Sequence, residues 1–174
     1  MKYPLSHRIL HWFMALLILV AIGIGIYMTK FLTHDSPNRM EVYDLHKSLG
    51  VMVLIFIVIR IVNRLKIQVP PLPQTMPKIE IVAAHLAHIA LYLGMVAVPL
   101  SGYLMSSFYG FPVKMFGLLV PSLVGTHPEI GGICASLHGL FAYGLLTLVV
   151  LHVLAVVKHR FFDKAEHDVL KRMI

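Results

Sequence analysis

The sequence predicts an all-α, integral membrane bundle of four helices, and three observations predict it: composition, the spacing of the apolar stretches and the sidedness of positive charge. Of 174 residues, 58% are hydrophobic and 13% charged, with a mean hydropathy of +0.81. A soluble domain of this size has too little interior to hide that much apolar surface, so lipid is the expected solvent. Stretches apolar enough to cross roughly 30 Å of hydrocarbon cover about 9–28, 45–62, 83–106 and 137–157. The chain, 1–174, reads as a single membrane domain with no internal repeat or low-complexity tract.

Each element has its own reason. The first apolar run starts near Ile9 and continues past Gly23-Ile24-Gly25 to about Met28, so it reads as a span that stays and not as a cleaved signal. Thr29 to Asp44 is a polar turn, and Leu45 to Val62 is the second span, with Arg60 inside it. A linker with Pro70, Pro71, Pro73 and Pro77 is expected to be extended and without a site. Ala83 to Ser106 is the third span, and Leu137 to Val157 the fourth. Between them, Ser107 to Ser136 reads as a long loop. Its segments Phe108-Tyr109-Gly110-Phe111 and Met115-Phe116-Gly117-Leu118-Leu119 are too apolar for free solution and too short to span, so they should lie in the interface and could lid what is beneath.

Four spans place both termini on one side. On that side fall Lys2, Arg8, Arg60, Arg64, Lys66, Lys78, Lys158, Arg160, Lys164, Lys171 and Arg172; only Lys30, Arg39, Lys47 and Lys114 fall opposite. Eleven against four orients both termini to the cytoplasm. The net charge of +7 is then topology and not a nucleic-acid footprint.

Eleven histidines against eight carboxylates is an unusual ratio. The single cysteine, Cys134, excludes an internal disulfide, a covalent c-type haem and a cysteine-ligated iron–sulfur cluster within the chain. Any metal must rely on imidazole. Positions 14 apart on a helix lie about 21 Å apart in depth and within about 40° of the same face. His138 and His152 are so related, one near the outer and one near the inner end of the fourth span. Depth pairs His46 with His138 outside and His11 with His152 inside, which suggests two b-type haems, each with two histidine ligands. His7 could compete with His11, and His88 is an alternative inner ligand. The same interval relates His11 to Gly25, His46 to Arg60 and His88 to Gly102. Glycine at Gly25, Gly50, Gly102 and Gly139 would let a flat macrocycle approach the backbone, and Arg60, costly in lipid unless paired, has a haem propionate as a natural partner. His159, seven residues beyond His152, could with His88 hold the two carbonyls of a quinone. His85, His88 and His159 could equally be plain interfacial histidines, and His7, His34, His127 and His167 are expected to be no more than that.

These residues carry a resemblance. Ser6-His7-Arg8-Ile9-Leu10-His11-Trp12, Leu45-His46, Arg60-Ile61-Val62-Asn63-Arg64, Ala84-His85-Leu86-Ala87-His88, Leu137-His138, Leu151-His152 and Lys158-His159-Arg160-Phe161-Phe162 together resemble the bacterial cytochrome b561 family, which includes the cytochrome b subunits of nickel–iron hydrogenases. The compact four-helix form is similar to its superoxide oxidase branch. The resemblance implies superoxide giving its electron to the outer haem, transfer to the inner haem, and reduction of membrane ubiquinone near His88 and His159. Positive charge should then draw superoxide to the outer face. Lys30, Arg39, Lys47 and Lys114 are there balanced by Asp35, Glu41, Asp44 and Glu129, so steering would have to be local, through Arg39 or Lys47 beside His46. Two other functions fit the pattern less fully: an anchor that takes electrons from a hydrogenase or dehydrogenase partner, and a transporter using buried histidines.

Overall fold

The computed structural model describes residues 2–67 and 69–174. Four helices, α1 (Leu5–Lys30), α2 (Arg39–Lys66), α3 (Lys78–Phe108) and α4 (Pro128–Phe161), are each long and apolar enough to cross a membrane. All four run beyond the apolar stretches. Hydropathy marks where a helix meets hydrocarbon and says nothing of turns that continue into the headgroup layer, so residues 128–136, with glycines at 131 and 132, are helical without being a visible part of a span. Pro128 sits in the first turn of α4, where a missing N–H costs nothing, and Pro77 immediately precedes α3.

The helices pack unequally. α3 runs along α4, α1 along α2, and α2 joins the two pairs through α3, while α4 makes no comparable approach to α1 or α2. The densest packing lies at mid-depth, where Met14, Leu17, Ile18, Leu49, Val53, Ile57, Met95 and Leu145 form one buried cluster. Leucines, isoleucines and valines are exposed around the outside. That pattern is correct for a protein dissolved in lipid tails.

Part of the expected outer loop is a β-hairpin. β1 (Val113–Met115) pairs antiparallel with β2 (Leu118–Val120), Met115 opposite Leu118. The two residues between them, Phe116 and Gly117, have φ of 49° and 89°. Positive φ at both central positions is what a two-residue hairpin demands, at some steric cost for Phe116. The hairpin is fastened to α2: Phe116 N donates to Ser48 Oγ (3.0 Å), whose own proton is shared between Asp44 O (2.7 Å) and Lys114 O (3.2 Å), and Lys47 Nζ donates to Pro112 O (3.1 Å).

At the other end, two 3₁₀ turns (Ala165–His167 and Leu170–Arg172) fold the last residues back under the bundle. Tyr3 N donates to Arg172 O, Trp12 Nε1 to Met173 O, Arg172 Nη1 to Pro71 O, and Thr75 Oγ1 to Glu166. The tail therefore joins the N-terminus to the proline-rich linker. Asp168, buried, pairs with Arg160 and lies 3.6 Å from Lys171 Nζ. Burial opposes its charge, but the hydrogen bond from Arg160, with Lys171, prevails and holds the carboxyl below the usual range.

Candidate functional site

The outer histidines meet. His46 from α2 and His138 from α4 have ring centroids 6.2 Å apart with planes at 87°. His138 Nδ1 donates to Val98 O on α3 at 2.8 Å, which leaves Nε2 without a proton and free to bind a metal. That carbonyl lies next to Pro99, in a stretch where Ser101 Oγ also bonds back to the carbonyls of Ala97 and Val98. Nδ1 of His46 is buried with no partner among the described residues. Room is made by glycine: a Cβ at Gly102 would lie 2.9 Å from His138 Cε1, and one at Gly25 would lie 3.2 Å from His46 Cε1. At Gly50 a Cβ would meet only Pro99, at an ordinary contact distance of 3.9 Å. Gly139 has nothing within 4 Å.

The inner histidines also meet, three instead of two. His11 from α1 lies 6.4 Å from His152, and His88 from α3 lies 5.7 Å from the same ring. Arg60, buried, donates to His11 Nδ1 at 2.8 Å and to the Tyr92 hydroxyl at 3.2 Å. A guanidinium is a donor only, so Nδ1 accepts and the proton of His11 sits on Nε2. This use of Arg60 was not legible from the sequence, which pointed to a carboxylate partner. His7 does not join the group: it is buried and stacked on Tyr3, whose hydroxyl accepts from Arg64.

Two metal–imidazole bonds of about 2 Å each, plus half of each ring, set two centroids roughly 6.3 Å apart. The spacings of 6.2 and 6.4 Å match this, and 5.7 Å is short of it. On centroid spacing the outer pair thus suits a single metal atom. The inner pair suits one on spacing, provided Arg60 gives up Nδ1.

Beyond the inner pair, His159 Nδ1 is 2.6 Å from Asp163 Oδ2, and Lys158 Nζ bridges Asp163 (2.9 Å) and Glu80 (2.8 Å). Glu80, His159 and Asp163 converge closely enough to hold a cation, but the Lys158 ammonium already fills that place. Lys158 keeps the Asp163 carboxyl below its ordinary range against partial desolvation, with His159 adding to the effect. Nothing among the described residues joins His88 to His159 by a hydrogen bond or ring contact. Asp163 and Glu80 went unsuspected in the sequence, although Asp163 stands at the i+4 position from His159. At the outer face, Lys47 is tied into the hairpin and lies over the Phe111 ring, while Arg39 lies over Tyr43. His34 is exposed, His127 lies near Phe108, and His167, buried, meets Thr75 Oγ1 at 3.0 Å.

A family model described as prokaryotic cytochrome b561 matches residues 2–174. Among curated proteins, cytochrome b561 homolog 2 of Escherichia coli (strain K12) is 32% identical over 99% of this chain and 91% of its own length. The probable superoxide oxidase CybB of Yersinia pestis is 27% identical over 99% and 96%. Cytochrome b561 homolog 1 of Escherichia coli (strain K12) is 23% identical over 99% and 97%.

Proposed function

The chain belongs to the prokaryotic cytochrome b561 family, b-type cytochromes that transfer electrons in bacterial membranes, and from that premise we propose that it is a superoxide oxidase, oxidising superoxide at the outer face and reducing ubiquinone at the inner. The observation that carries this reading is the pair of histidine pairs, one at each depth, each spaced for one metal atom. On this reading His46 and His138 hold an outer haem b, and His11 and His152 an inner one. Haem iron between two imidazoles is coordinatively filled, so these groups supply one-electron exchange and not oxygen binding. The small residues at Gly25 and Gly102 leave space at the outer pair. At the inner pair, metal on Nε2 of His11 would return that ring's proton to Nδ1, and Arg60 would turn from it to a carboxylate.

The reaction balances simply. Two superoxide ions lose one electron each and leave as dioxygen; ubiquinone takes both electrons and two protons from the inner side. Arg39 and Lys47, within a few turns of His46, would attract the anion locally. His88 and His159 would hold the quinone carbonyls. The name of the Yersinia pestis relative supports the donor, and the basic residues gathered on the terminal side support cytoplasmic termini. A superoxide pulse mixed with the oxidised holoprotein should reduce its haem at close to the diffusional rate and yield quinol; absence of haem reduction overturns the reading. For orientation, with Cys134 replaced by serine, a cysteine at His34 should react with an impermeant thiol reagent in intact cells, and one at Lys171 only after permeabilisation. The reverse pattern overturns it.

A second reading has one observation in its favour. The outer hairpin and its flanks expose Phe111, Phe116, Leu118, Leu119 and Leu123, a surface that a dehydrogenase or hydrogenase could cover. A purified protein inert to superoxide, yet reduced within a larger complex, would decide for an electron-transfer anchor.

A further inference from the structure

Reducing a quinone to a hydroquinone consumes two protons, and they must reach the quinone's oxygens from the inner aqueous side. On the proposed ligation the inner histidine pair gives its Nε2 atoms to metal, so the route is sought nearer the inner water. About 10 Å further along α4, two turns past His152 and on the same face, lies a dyad. His159 and Asp163 are joined at 2.6 Å, with side chains 13% and 17% exposed: largely enclosed, but open enough to exchange protons with water. Resting on the inner-face quinone reading above, we propose that Asp163 is the positioning residue of a His159–Asp163 proton relay that feeds the quinone.

The dyad's chemistry follows from its parts. The Asp163 carboxylate accepts from Nδ1–H of His159 and so presents Nε2, which makes no hydrogen bond among the described residues, as the atom that takes up and releases protons. Nε2 gains a proton from cytoplasmic water and passes it to a quinone oxygen as an electron arrives; the ring reloads, and a second proton follows the second electron. Asp163 stays ionised throughout and holds the ring in one tautomer, so each cycle closes with no net change in the protein. The other charged groups that face the dyad are Lys158 on α4 and Glu80 on α3. Lys158 is shared between both carboxylates, which fixes Asp163 without neutralising its contact to the ring. Were the cluster only a clasp between the ends of α3 and α4, the Lys158 bridges alone would close it, and His159 would be dispensable.

The test uses the holoprotein in detergent, pre-reduced and mixed rapidly with a short-chain ubiquinone, with haem absorbance as the signal. Asp163→Asn should slow haem oxidation on the order of tenfold, and His159→Gln on the order of a hundredfold. Both should keep wild-type haem spectra, and Asp163→Glu should recover most of the rate. The wild type should show a solvent deuterium isotope effect that both slow variants change. Independently of turnover, ¹⁵N-histidine NMR should find His159 as the Nδ1–H tautomer in the wild type and as a mixture in Asp163→Asn. An Asp163→Asn protein with unchanged rate, isotope effect and tautomer overturns the relay alone. A wild-type protein whose reduced haem the quinone never oxidises overturns the inner-face reading, and the relay with it.

Discussion

Where a Cβ is forbidden, a single methyl group becomes a test. A side chain at Gly102 would begin 2.9 Å from Cε1 of His138, closer than carbon atoms approach, and 3.0 Å from Nδ1, the atom that the Val98 carbonyl one turn earlier on α3 orients. On the proposed two-haem reading, Gly102→Val should displace His138 and lower haem content from two per chain towards one, read by pyridine haemochrome, while Gly25→Ala, with 3.2 Å of clearance, should do so only partly. The proposed ligands give a sharper contrast. His46→Ala or His138→Ala should remove the outer haem or make it high-spin and spare the inner; His152→Ala should do the reverse, by electron paramagnetic resonance. Equal loss of both haems in every variant would break the pairing by depth. His11→Ala against His88→Ala then separates the two rings that face His152, with loss of the inner haem expected only for the first.

At the scale of the element, the hairpin shows how little chain is needed to fix a lid. Ser48 Oγ alone bonds both β1 and the turn residue Phe116. Ser48→Ala removes the α2 partner of the Phe116 N–H and of the Lys114 carbonyl, both only partly buried, at a cost of about 1 kcal/mol. The expected result is faster hydrogen exchange at the Phe116 amide with α1 to α4 unchanged. The hairpin was only half legible in the sequence. Its apolar residues announce an interfacial segment, but a three-residue strand has too few positions to display alternation, and Phe116 is a poor advertisement for positive φ. The helices were legible because lipid imposes one rule over some 20 consecutive residues. The approach of His46 to His138 accords with their depth, but depth does not separate His11 from His88, both of whose rings lie near His152. Partners set by neighbouring helices, such as Tyr92 for Arg60 or Val98 for His138, depend on azimuth, which depth does not contain.

At the scale of the whole molecule, the tail closes one end by charge. Asp168 has a depressed folded-state value, so its contribution to docking is present above the unfolded carboxylate value of about 3.9 and is lost as pH falls through the folded one. Docking should persist at neutral pH and fail only in acid. Asp168→Asn should release the tail at neutral pH, seen as trimming of the last residues by carboxypeptidase where the wild type resists. The unequal packing of the helices bears on a different matter, the order of events at birth. α1 packs along α2 and α3 along α4, whereas α4 stands apart from the first pair and yet, on the proposed pairing, brings one ligand to each haem. Neither cofactor can then be captured by two histidines until the last helix has been synthesised. A ribosome stalled before Leu137 would hold a membrane protein that is nearly whole and wholly colourless.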